Sequence, residues 1–179
     1  MKPYYLVICC LSLATSVLMA GEKLAQTQEP KSDALKKVFA TLPEGKPVAI
    51  HQARTVAKPG DTITIKGRVM GNTKPFVDGR SIFVLGDTET LKACSDNPGD
   101  GCETPWDTCC DSPEAIKLGT ATIQVVDAKG RVLKEGIENI NGLKKLSYVV
   151  VSGKVAPGST ADLLLLNAEA IKVEEAKTQ

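Results

Sequence analysis

Histidine, aromatic side chains and surplus charge are what this sequence has least of. His51 is the only histidine among 179 residues. No histidine lies near the clustered cysteines to complete a mixed metal set, and any Ser-His-Asp or Cys-His chemistry would have to pass through that one ring. Aromatics are limited to three Phe, three Tyr and one Trp. Beyond the first twenty positions they reduce to Phe39, Phe76, Phe83, Trp106 and Tyr148. That is too sparse for the stacking platform on which single-stranded nucleic acid binds. Lys and Arg number 22 against 21 Asp and Glu, a formal net charge of +1. This balance removes the electrostatic footprint of a nucleic-acid or anionic-membrane binder. Gly-rich phosphate loops, Gly-x-Ser-x-Gly elbows and His-Glu-x-x-His are all missing, and no cofactor is implied.

Long apolar runs are also scarce, with one exception. After Met1-Lys2 the chain carries no charge from Tyr4 to Ala20, "YYLVICCLSLATSVLMA", and then turns polar at Gly21-Glu22-Lys23. A single lysine, an apolar stretch and a small residue at Ala20 make residues 1–20 a secretory signal peptide. Leu18 stands where a small residue is preferred, so the rival is an uncleaved anchor, for which the stretch is at the short limit of about 17–25 residues. Most of the apolar stretch follows Cys9 and Cys10 rather than preceding them, which argues against lipidation.

Cleavage after Ala20 removes two of six cysteines and leaves Cys94, Cys102, Cys109 and Cys110. An even number in a chain addressed to an oxidising compartment points to a disulfide framework. Residues 21–47 read as a polar spacer with a short helix, capped at Ser32 or Asp33, carrying Leu35, Val38, Phe39 and Leu42 on one face and stopped by Pro43. From Val48 the texture is that of strands. "DTITIKGRVMG" alternates Ile63, Ile65, Gly67 and Val69 against polar partners, and "SIFVLGD" is apolar on both faces and must be covered on both. "ATIQVVD", "SYVVVSGKV" and "LLLLNAEAIKV" follow, the last with a slip of alternation near Ala170-Ile171 that implies a bulge. Residues 135–146 contain Gly142 and read as one or two helical turns before the fourth strand.

Five strands suit a small closed barrel better than a sandwich of about seven. The stretch "AIHQARTVAKPGDTITIKGRVMG…SIFVLGD" resembles the opening of bacterial exported OB-fold domains, and "VVVSGKVAPGSTADLLLLNAEAIKV" resembles their last two strands. The resemblance covers roughly residues 48–174 and implies an all-β, five-stranded Greek-key barrel. A long cysteine-rich acidic loop, residues 87–120, is inserted after strand 2, and residues 175–179 form a tail. The loop also resembles a family of exported bacterial proteins with a Cys…TPWD-x-CC motif, a resemblance that brings no function with it.

The cysteines of that loop are spaced C-x7-C-x6-C-C. Structural zinc sites use C-x2-4-C pairs, because two thiolates on one tight turn reach a single ion, and neither wide gap fits. Adjacent Cys109 and Cys110 suit different partners, so crossed pairing with Cys94 and Cys102 is expected, in either of the two crossed connectivities. Calcium is a further candidate. With Asp96 at the first position of an EF-hand loop, Asp100 falls at the fifth, Gly101 at the sixth and Asp107 at the twelfth, but Pro98 holds the third and the twelfth is not Glu. A solvated acidic loop is the simpler reading. Trp106 reads as the loop's own small core packed on the disulfides, with an exposed ligand-stacking ring as the alternative. His51 reads as structural or surface.

The function expected from these observations is non-catalytic binding or structural work in the cell envelope, in the periplasm or outside the cell. The partner would be an envelope protein or a small ligand, meeting a surface around Trp106, Asp96, Asp100, Glu103 and Asp107. Nucleic acid is not expected, and membrane contact only if the leader stays attached. The alternative is a metal-binding or redox module built on the four cysteines, and a hydrolase seeded by His51 stands third.

Overall fold

A computed structural model describes residues 28–99 and 101–174. The expected signal peptide, the start of the expected spacer, Asp100 and residues 175–179 lie outside the described residues. In chain order the elements are α1 (Asp33–Ala40), β1 (Val48–Ala49), α2 (Ile50–Val56), β2 (Thr62–Arg68), β3 (Ile82–Gly86), a 3-10 turn (Cys94–Asp96), α3 (Pro113–Gly119), β4 (Thr120–Gln124), β5 (Tyr148–Val155) and β6 (Leu164–Glu174). No helix among the described residues is long and apolar enough to cross a membrane.

The strands close into an OB-like barrel. Around it the order is β2-β3-β4-β6-β5, and β5 returns to β2. The β4–β6 pair is parallel and the other pairs around the ring are antiparallel. Alternation explains which face turns inward. Ile65, Val69, Phe83, Leu85, Ile123, Val149, Val151 and Leu166 are each at most 1 % exposed. Each such burial is worth about 1.5–3 kcal/mol, which is what makes the pairing cooperative. β2 and β3 share only the Arg68–Gly86 pair, and beyond it Phe76 bridges to Phe83 with ring centroids 6.0 Å apart.

Three expectations need correction. Residues after Val48 form only a two-residue strand and then helix α2, whose first turn lacks a side-chain cap of its own and is instead met by the Asp87 carboxylate, 2.8 Å from the His51 N–H. The stretch 135–146 is not helical, because Asn139, Asn141, Gly142 and Leu146 all take positive φ. Helix α1 ends at Ala40 rather than at Pro43. Thr41 turns its hydroxyl back to the Lys37 carbonyl, and Leu42 lies outside the helix at 73 % exposure. Leu35 and Val38 pack into the barrel core, so α1 serves as a plug. Its entry is clamped by Glu135, whose carboxylate accepts from the Lys31 N–H (2.6 Å) and the Ser32 N–H (3.1 Å).

The expected bulge lies one residue earlier than Ala170. Ser152 pairs with Ala170 and Gly153 with Ala168, which leaves Glu169 as the extra residue. The close approach there requires glycine: a Cβ on Gly153 would lie 2.1 Å from the Asn167 carbonyl oxygen. Gly153→Ala should therefore destabilise the fold by about 1–3 kcal/mol or more. Gly101→Ala, in open space, should be near neutral. Comparison of their urea midpoints checks this, and equal midpoints would contradict it.

A second prediction concerns acid. Burial pushes the Glu135 carboxyl up, but the N–H bonds from Lys31 and Ser32 outweigh it and hold the group below the usual glutamate range. A depressed folded pKa means that the clamp's stabilisation is present above the unfolded value of about 4.3 and is lost as pH falls through the folded value. The Lys31 and Ser32 amide resonances should be constant from neutral pH down to that range and shift below it. Glu135→Gln should abolish the transition, and a transition at neutral pH would contradict the assignment.

Candidate functional site

The insertion leaves the barrel at Asp87, after β3, and returns through α3 into β4. Its base is tied by Asp87, which is 1 % exposed and donates its N–H to Gly119 O at 2.8 Å. The Asp87 carboxylate accepts from Glu89 N and from both the backbone N–H and Nδ1 of His51, the ring contact measuring 2.7 Å. A buried carboxylate is stable only when its lone pairs are satisfied, and these donors satisfy it. Ser112 caps α3 by accepting from the Ala115 N–H, with Pro113 at the helix start. Above this base, Leu91 and Ala93 meet Met70 in a small apolar cluster joined by Ala115, Ile116 and Leu146.

The outer half of the lobe narrows to a neck. Cys94 N donates to Asp107 O (2.8 Å) and Ser95 N to Pro105 O (2.9 Å), so two short backbone segments run side by side. The neck is docked onto the barrel rim by side chains. Trp106 Nε1 donates to Thr73 O (2.9 Å), Thr73 Oγ1 to Asp107 Oδ2 (2.9 Å), and Arg68 Nη1 to Asp96 Oδ2 (2.7 Å). Lys145 Nζ sits 4.1 Å from the Trp106 ring centroid, and Arg68 lies over Tyr148.

The four cysteines converge just inside this neck. Cys94 Sγ and Cys109 Sγ are 3.5 Å apart, and the sulfurs of Cys94, Cys102 and Cys109 all lie within 4.8 Å of one another. Cys110 stands against Cys109, and no two sulfurs are at disulfide-bonding distance. Burial, together with contacts to Cys109 and Cys102, pushes the Cys94 thiol up to about 12. Cys102 moves the other way: the Thr104 hydroxyl, 3.4 Å from its sulfur, and the Thr104 backbone pull its pKa down. The triangle of sulfurs also resembles one face of a thiolate tetrahedron, whose S···S edge is about 3.8 Å for a Zn–S bond of about 2.3 Å.

The other anticipated residues separate into two groups. Asp96, Trp106 and Asp107 face the barrel and fasten the lobe to it, whereas Glu103 is exposed and Asp100 lies outside the described residues. Asp96 and Asp107 are held by Arg68 and by Thr73 and do not converge on a common point for a cation. His51 is oriented by Asp87 through its Nδ1, 2.7 Å from the carboxylate. The sequence hid this pair because its members are 36 positions apart.

No family model, curated protein or solved structure matches the chain.

Proposed function

We propose that the protein is an exported, non-catalytic binding or structural module of the bacterial cell envelope, with the 87–120 lobe as its interaction surface. The observation that carries this reading is the convergence of Cys94, Cys102, Cys109 and Cys110 at the neck of a lobe docked on the barrel rim. With residues 1–20 taken as a signal peptide, the mature chain would begin near Gly21 and work in the periplasm or outside the cell, where thiols so arranged become two disulfides. Each closure stabilises a loop of this length by about 2–4 kcal/mol in the usual chain-entropy account. The barrel supplies a rigid base, and the lobe presents Glu103 and its neighbours to an envelope protein or small ligand. Nucleic acid is not the expected ligand, because charge is nearly balanced and few aromatics lie beyond the first twenty residues. The sulfur triangle favours one second reading, a thiolate site for a zinc-like cation.

Protein isolated from the envelope without reductant tests both. The four cysteines should give no titratable thiol, a chelator should leave the lobe unchanged, and an envelope partner retained by the native protein should be lost from Cys109→Ser/Cys110→Ser protein. Four titratable thiols with bound zinc would favour the second reading. Retention that survives opening of the lobe would remove the lobe as the interaction surface.

A further inference from the structure

The four cysteines occupy unequal positions, and the inequality orders their chemistry. Cys94 begins the 3-10 turn, is 1 % exposed, and its backbone is already held to Asp107. Cys109 follows two positions after Asp107 on the opposite side of the neck, with its sulfur 3.5 Å away. Closing this pair therefore needs little rearrangement of a neck that the backbone has already brought together. Cys102 belongs to the excursion between the two sides of the neck, folded back so that its sulfur rests on Thr104. With Cys109 engaged by Cys94, the adjacent and exposed Cys110 is left to Cys102.

We propose that Cys94–Cys109 and Cys102–Cys110 are the two bonds, and that Cys102–Cys110 is a thiol-exchange site for a small thiol or a dithiol oxidoreductase. The inference rests on the disulfide-closed lobe proposed above. Exchange is a substitution at sulfur: an incoming thiolate bonds to Cys110 Sγ, the Cys102–Cys110 bond breaks, and Cys102 leaves with the electron pair. No external oxidant is consumed, because the incoming sulfur is oxidised as Cys102 is reduced. Accessibility and leaving group both favour this direction. Cys110 is exposed, and the departing Cys102 thiolate is stabilised by the Thr104 hydroxyl. At the inner bond, attack on Cys94 is blocked by its burial, and attack on Cys109, which is exposed like Cys110, would have to expel Cys94 as a thiolate at a buried position that disfavours the charge. Exchange at the outer bond frees the tip carrying Glu103, while the neck keeps both its backbone bonds and the inner disulfide. The exposed part of the lobe thereby becomes responsive to the thiol status of its surroundings.

The test uses the full chain isolated without reductant, treated with limiting glutathione, quenched with an alkylating agent and fragmented by electron transfer, which cuts between Cys109 and Cys110. The expected first product carries glutathione on Cys110 and the alkyl group on Cys102, with Cys94–Cys109 intact, and precedes adducts at Cys94 or Cys109 by at least ~tenfold in rate. First adducts at Cys94 or Cys109, or a Cys94–Cys110 cross-link in the starting protein, would overturn the assignment while leaving a disulfide-closed lobe. Glutathione on Cys102 with alkylated Cys110 would overturn the direction of exchange. Four titratable thiols before glutathione is added would overturn the closed lobe itself.

Discussion

Everything in this molecule hangs on the pairing of β2 with β5. Seven consecutive residue pairs, Thr62–Lys154 through Arg68–Tyr148, bring the first and fourth barrel strands together and turn an open sheet into a ring. Closure shields the edges on which unpaired backbone groups would otherwise be presented. It also commits the inward face of every strand to one apolar core, into which α1, α2 and the 137–143 turns each insert a few side chains. Closing the ring requires the strands to bend. A β-bulge of the kind that bends strands lies opposite Gly153, where β6 carries one extra residue and the backbones approach too closely for any side chain.

The lobe stands in a different energetic regime. Its small apolar cluster of Met70, Leu91 and Ala93 is separate from the barrel core, and most of what fastens it is polar: one buried carboxylate, two backbone bonds at the neck, a tryptophan N–H and an arginine. Such contacts contribute modestly once exchange with water is counted, typically about 0.5–1.5 kcal/mol each. A loop of this length held only by them would open readily. Closure of the sulfur cluster is the device proposed to hold it shut. Asp87 links the two regimes, since it ends the β3 arm, anchors the base of the lobe and holds α2 by His51.

Much of the barrel was legible in the sequence because its information is local. Period-2 alternation marks β2, β5 and β6, and residues 127–130, "DAKG", have the composition of a turn, which is closed by Asp127 and Arg131. What was not legible depended on partners far away in the chain. Helix α2 looked like a strand because the Asp87 carboxylate that meets its first turn lies 36 residues on. Residues 135–146 looked helical because a propensity reading does not foresee Asn139 and Asn141 in the left-handed region, where a short polar side chain tolerates positive φ. Helix α3 is the opposite case. Its start signal, Ser112-Pro113-Glu114, is entirely local: a capping hydroxyl, a proline at the first helical position and an acid in the first turn. At the site, the sequence brought the four cysteines into one loop, but the inward turn of Asp96, Trp106 and Asp107 emerged only from the docking of that loop on Arg68 and Thr73.

The central claim is that a self-sufficient barrel carries a lobe which depends on its sulfurs. Amide hydrogen exchange on protein isolated without reductant, measured before and after excess reductant, addresses it directly. The β2 and β5 amides should keep their protection throughout, while the Cys94 and Ser95 amides, which are bonded to Asp107 and Pro105, should lose theirs on reduction. Loss of protection in β2 and β5 together with the neck, or a neck indifferent to reductant, would contradict the account.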